Sequence, residues 1–187
     1  MKKMTKLFAV AGIAVATLLG SKVKAQSTTP ANKWRFGIGV EGFLPTGSLH
    51  DVSNIGLGGT ARLQYGVNKN VALMITSGYY NAFGKQVPDP NPGTSHAQPG
   101  FGMVPIKAGI KGYLGSGFYL SGEVGAGIET KDVDANYQNQ KATKLILAPG
   151  LGYSFKYVDI GARYENFSGQ GNDFGMVALR IAYGFGI

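Results

Sequence analysis

Cysteine is absent from the 187 residues, which excludes disulfides, thiol catalysis, cysteine-based metal sites and an acyl-cysteine lipoprotein anchor. Histidine occurs only twice, as His50 and His96, and two side chains supply too few ligands for a metal site. No apolar run approaches the ~20 residues a helix needs to span a bilayer; Leu7 to Leu19 covers 13. Acidic residues number 10 against 18 basic ones. Lys2, Lys3, Lys6, Lys22 and Lys24 lie in the first 25 residues, where no acid occurs, and without them the formal charge of +8 falls to +3. The basic character belongs mostly to this leader, so nucleic acid is not expected as a partner.

Residues 1–25 read as a cleaved signal peptide: a lysine-rich start, the apolar run, then Val23-Lys24-Ala25 before Gln26. Residues 26–33 form a short lead-in without periodicity, and 34–187 form one domain. Glycine is abundant, with 28 of 30 residues beyond position 25 and no collagen period. That pattern fits crowded strand surfaces where a side chain has no room.

From Trp34 onward the chain alternates between an apolar face and a face of glycine and charge, the period of a strand. The first strand sets Trp34, Phe36, Ile38 and Val40 against Arg35, Gly37, Gly39 and Glu41. Further strands are predicted near 56–67, 71–81, 102–114, 118–129, 143–155, 157–166 and 177–187. In the last, Val177, Leu179, Ile181, Tyr183, Phe185 and Ile187 oppose Ala178, Arg180, Ala182, Gly184 and Gly186. Connections alternate between minimal turns, at 68–70, 115–117 and near Lys156, and longer loops that include the proline-bearing stretch 82–100 and the polar stretch 130–142. The expected fold is all-β: an eight-stranded antiparallel up-and-down transmembrane β-barrel, apolar outside and polar within. Pro105 and Pro149 fall inside strands, where each removes a ladder hydrogen bond, so both are expected near a rim or at a bulge.

The run Val104-Pro105-Ile106-Lys107-Ala108-Gly109-Ile110-Lys111-Gly112-Tyr113-Leu114, followed by Phe118-Tyr119 and Gly122 to Gly127, resembles the outer membrane protein β-barrel domain family, small barrels like OmpA and OmpX. Ala148 to Tyr153 and Asp159 to Glu165 are similar to it as well. The resemblance covers about residues 34–187 and implies a fold and a cell outer-membrane location reached through the periplasm. It carries over no catalytic residue. It implies outer-membrane lipid and lipopolysaccharide as surroundings, and periplasmic chaperones and the barrel-assembly machinery as partners in biogenesis. Ile181, Tyr183, Phe185 and Ile187 stand where such barrels carry their insertion signal, although the family usually ends in an aromatic residue.

The inward face places Arg35, Glu41, Arg62, Lys107, Lys111, Glu123, Glu129, Asp159, Arg163, Glu165 and Arg180 in one lumen. Eight strands enclose little more than side chains, so these groups are expected to pair as a structural plug. Aromatics near strand ends, Trp34, Tyr65, Tyr79, Tyr153, Tyr157, Tyr164, Tyr183 and Phe185, fit interfacial girdles. His50-Asp51 and Ser95-His96 sit on expected outer loops without the spacing of a hydrolase. The glycine cluster at 56–59 opens no helix, which removes a nucleotide site. The function expected is structural or surface-binding, without catalysis, cofactor or metal, and with an external ligand the sequence does not name. A solute or hydrophobic-compound channel is the alternative. A soluble lipocalin-like barrel would need an apolar interior.

Overall fold

The computed structural model describes residues 29–88, 95–97, 100–115, 117–131, 142–169 and 173–187. The proposed signal peptide, 1–25, lies outside the described residues. The barrel strands are β1 (Trp34–Gly47), β2 (Ser53–Gly66), β3 (Val71–Gly84), β6 (Phe101–Gly115), β7 (Phe118–Lys131), β8 (Thr143–Ser154), β9 (Val158–Gly169) and β10 (Phe174–Gly186). They close in the order β1-β10-β9-β8-β7-β6-β3-β2, every neighbour antiparallel. Two short strands, β4 (Gln86–Pro88) and β5 (Ser95–Ala97), form a separate hairpin. The helix α1 (Ser48–Val52) joins β1 to β2.

Because side chains alternate along a strand, closure sorts the sequence onto two surfaces. Leu44, Leu57, Ile75, Ile106, Val124, Leu151, Leu179 and Ile181 point out and stay exposed, while Glu41, Thr60, Thr76, Lys107, Glu123, Arg163 and Arg180 point in and are buried. In water so continuous an apolar exterior would drive association; in hydrocarbon it is the favoured surface, since closure leaves no unpaired strand edge. Strands of 12 to 15 residues exceed the ~9 to 11 needed to cross the apolar layer.

Aromatic rings collect at the end that carries the tight turns. Trp34 meets Tyr65 at 4.8 Å, Phe36 meets Phe185, Phe118 meets Tyr153 at 4.7 Å, and Tyr157 stacks on Tyr183. This collar runs over β2, β1 and β10, the β8–β9 turn that holds Tyr157, and then β8 and β7.

The tight turns follow from their residues. At 67–70 the Asn68 side chain accepts hydrogen bonds from the backbone N–H of Asn70 and Val71, at 2.8 and 2.9 Å. At 115–117, Gly115 and Gly117 take φ of 137° and 97°, values that side chains disfavour. Beside the first turn, the lead-in is tied to β2 by Asn32 N–H to Gly66 O at 2.7 Å and Gly66 N–H to Lys33 O at 3.0 Å.

The strands run further toward the loop end than the sequence predicts. β1 continues to Gly47 through Pro45, and the connection to β2 shrinks to the single turn of α1. The stretch 82–100 is likewise not all loop, since β3 reaches Gly84 and the β4–β5 hairpin follows.

Of the two strand prolines, Pro105 lies two residues from the irregularity at Gly102/Met103 in the β6–β7 ladder, whereas Pro149 differs from expectation by lying in the middle of β8. The β3–β6 ladder pairs Ser77 with Ile106 and resumes at Tyr80 with Met103, skipping Pro105. The β8–β9 ladder pairs Leu147 with Asn166 and resumes at Gly150 with Arg163, skipping Pro149. On the opposite edge each proline pairs normally, with Gly127 and Gly122. The missing N–H thus interrupts one ladder for two residues and leaves the register unchanged.

Leu179 lies on the outer face at 52% exposure and Ala182 on the inner face at 4%. Leu179→Arg should destabilise by ~2 to 4 kcal/mol if it sits near the bilayer midplane, measured by urea unfolding in liposomes. Ala182→Ser should change stability less than Ala182→Leu, because volume limits the inner face. Tolerance of Leu179→Arg together with equal tolerance of Ala182→Ser and Ala182→Leu would contradict the face assignment.

Candidate functional site

The lumen holds two carboxylate-centred groups stacked along the barrel axis. In the upper one, Glu165 accepts hydrogen bonds from Lys107 at 2.5 Å, from Arg163, and from the Tyr80 hydroxyl at 3.1 Å. Arg163 also bonds Glu41, which accepts from Thr60 at 2.7 Å and lies 3.4 Å from Arg180. Across the lumen Glu123 pairs with Arg62 at 3.1 Å, accepts from Thr76 at 2.6 Å, and lies 4.0 Å from Lys107. Strands distant in sequence therefore meet: Arg163 and Glu41 are 122 residues apart.

The lower group centres on Asp159, which accepts from Lys111 at 2.6 Å, from the Tyr119 hydroxyl at 2.9 Å, and from Ser154. Lys111 sits over the Tyr119 ring, 3.9 Å from its centroid, so its charge meets both a carboxylate and a π face. Arg180 spans the two groups, its Nη1 3.9 Å from Asp159.

Of the inward charges expected from sequence, nine form this connected network: Glu41, Arg62, Lys107, Lys111, Glu123, Asp159, Arg163, Glu165 and Arg180. Glu129 stands apart near the loop end, 3.7 Å from Lys144, a buried lysine the sequence reading did not include. Lys144 shares the inward parity of Ile146 and Ala148, the signal that would have found it. Arg35 is buried at the turn end, packed against Gly184. Ile181, Tyr183, Phe185 and Ile187 all point outward.

Above the network the lumen is mostly apolar, the Lys144–Glu129 pair excepted, which corrects the expectation of a polar interior. Phe43, Leu49, Phe101, Met103, Ile146, Phe167, Phe174 and Met176 form an apolar cap at the loop end, continuous with the Tyr80 ring. Phe167 stacks on Phe174 at 4.6 Å, and Phe101 meets Phe174 edge-on at 5.3 Å. Leu49, carried by α1, is 4% exposed and closes the cluster from above. The signal was present in sequence, because these strand residues share the inward parity of Glu41, Lys107, Glu165 and Arg180.

Glycines on the inner wall make room for the large groups. A Cβ on Gly58 would lie 2.7 Å from the Tyr80 ring, and one on Gly109 2.7 Å from Glu123 Cγ. Tyr119 projects its hydroxyl between Gly152 and Gly161.

Hydrolase geometry is not assembled by the described residues. His50 lies in α1, its backbone carbonyl accepting from Lys85, and the His96 side chain is outside the described residues. No group of three or more potential metal ligands occurs among the described residues.

No protein-family model matches the sequence, and no curated protein matches it. Solved structures do. The chain is similar to Ail, the attachment invasion locus protein of Yersinia pestis, at TM-score 0.59 and 16% identity, over 83% of this chain and 99% of that one. The same protein in complex with the heparin analogue sucrose octasulfate matches at TM-score 0.56, 16% identity and the same coverage. The N-terminal β-barrel domain of Pseudomonas aeruginosa OprF matches at TM-score 0.55 and 18% identity, over 83% and 98%. At these identities the likeness is one of fold, the small eight-stranded barrel of outer-membrane proteins.

Removing one partner of a buried pair leaves the other charge uncompensated, at a cost of about 3 to 5 kcal/mol. Glu165→Gln breaks contacts to both Lys107 and Arg163 and should lower the temperature of the heat-modifiable gel-mobility shift markedly. Glu129→Gln, in a longer and less buried pair, should lower it far less. Equal shifts would mean that the central network does not hold the barrel together.

Proposed function

We propose that the protein is an integral outer-membrane barrel without enzymatic activity, whose wall anchors it and whose loop end contacts structures outside the cell. The observation that carries this reading is the filled lumen: among the described residues a charge network occupies the middle and an apolar cap lies above it. A channel role would require both layers to part. The apolar exterior and turn-end aromatic collar support residence in a bilayer.

In this reading the tight turns and N-terminal lead-in face the periplasm. Lys33, Lys69 and Lys156 are exposed at that end and suit anionic headgroups. The helix α1 and the β4–β5 hairpin face outward, toward lipopolysaccharide and an external ligand. Residues 1–25 serve for export, and chaperones and the barrel-assembly machinery handle the mature chain. Ail is named for attachment and invasion and binds a heparin analogue in one structure; a surface-binding role for the loop end here is the corresponding proposal.

In planar bilayers the purified barrel should show no steady conductance, and a double variant that opens the cap, Phe43→Ala with Phe174→Ala, should still show little because the charge network remains. Ohmic, open-channel currents from the native protein would reject the plugged-barrel reading in favour of a solute channel. For insertion, Tyr183→Ala with Phe185→Ala should reduce the folded form recovered in outer membranes and increase unfolded chain in the periplasm; unchanged recovery would remove the C-terminal strand as the insertion signal.

A further inference from the structure

Between the two carboxylate groups lies a small cavity whose polar lining is Arg62, Tyr119, Ser121, Glu123, Arg163 and Arg180, completed by wall residues of β8 and β9. It has room for about one particle of water size. Three of these residues are guanidinium groups and one is a carboxylate. Both oxygens of Glu123 are already engaged, one by Thr76 and one by Arg62. Arg180 donates through Nε to Thr60 at 2.9 Å and directs Nη1 toward Asp159, while its Nη2 is buried without a hydrogen-bond partner. The residue is 2% exposed.

Charge within the network does not balance. Arg62, Lys107, Lys111, Arg163 and Arg180 stand against Glu41, Glu123, Asp159 and Glu165, which leaves one positive charge in excess. The apolar cap keeps bulk water away from the loop side of this excess. An uncompensated charge in such a place costs several kcal/mol. A water molecule would satisfy the idle donor but not the charge, whereas a monovalent anion does both.

We propose that this cavity is a binding site for a small monovalent inorganic anion of halide size, held by Arg180 Nη2 with Arg62 and Arg163 around it. The site belongs to the lumen and does not depend on which membrane surrounds the wall. The anion completes the plug: it bridges the upper and lower groups at the point where Arg180 reaches from one to the other.

The barrel refolded and crystallised in sodium bromide tests this directly. The expected result is an anomalous bromide peak beside Arg180 Nη2. The heat-modifiability midpoint should also shift upward in sodium bromide or chloride relative to sodium gluconate at equal ionic strength, a comparison that holds screening constant. Arg180→Gln removes Nη2 and the excess charge, and should lose the peak. Ser121→Val fills the cavity and keeps every charge, so it should lose the peak even if Arg180→Gln does not fold. Density for water alone in the native protein, without anomalous signal, overturns the proposal. So does a bromide peak that persists unchanged in Ser121→Val.

Discussion

The hydrogen bonding of β1 to β10 is the constraint on which the other features depend. That seam, from Arg35 opposite Gly186 to Gly47 opposite Phe174, turns an open sheet into a cylinder. Once closed, the backbone no longer needs water at an edge, and the outer face is free to be apolar. The same closure sets the diameter, and with eight strands the interior has space for side chains and little else. Inward charge must then meet inward charge. Arg163 reaches Glu41 and Lys107 reaches Glu165 because the wall brings them face to face.

The interior is layered by chemistry. Charges occupy its middle and turn-side parts, with aromatic hydroxyls from Tyr80 and Tyr119 completing their hydrogen bonds. The loop-side part is mostly apolar, apart from the Lys144–Glu129 pair, and is covered by Leu49 on a single helical turn. Each layer needs the other. A polar network exposed at its upper side would be hydrated and weakened by the higher dielectric, while an apolar cluster alone would give neither register nor orientation to the strands beneath it. Tyr80 lies at the junction, its ring against Phe43 and its hydroxyl among Lys107, Arg163 and Glu165.

The face of nearly every barrel residue was legible in sequence because strand parity has a period of two and needs no tertiary information. Arg62 inward and Leu63 outward follow from alternation alone. Partner choice was not legible, since closure and register decide that Glu123 meets Arg62 across 61 residues. The apolar cap was visible in parity but obscured by the expectation of a polar lumen. Phe43 two residues from Glu41, and Met176 four from Arg180, carried that information. Strand one runs past Glu41, the last residue the alternation assigns to it: β2 pairing stops at Phe43, and Pro45 continues to pair only with Met176. Pro149 is accommodated in the middle of β8 for a related reason: a strand held on both sides tolerates a two-residue gap on one of them.

The fit of Tyr119 between Gly152 and Gly161 couples positions on three strands, β7, β8 and β9. An alanine at 161 takes the space of the phenol oxygen, and withdrawing that oxygen strips Asp159 of a donor. A smaller residue at 119 would in turn leave a hollow where the two glycines now stand bare. Sequence drift in this wall therefore proceeds by reciprocal exchanges of bulk between neighbouring staves, and the abundance of glycine records how many large side chains the narrow bore has to house.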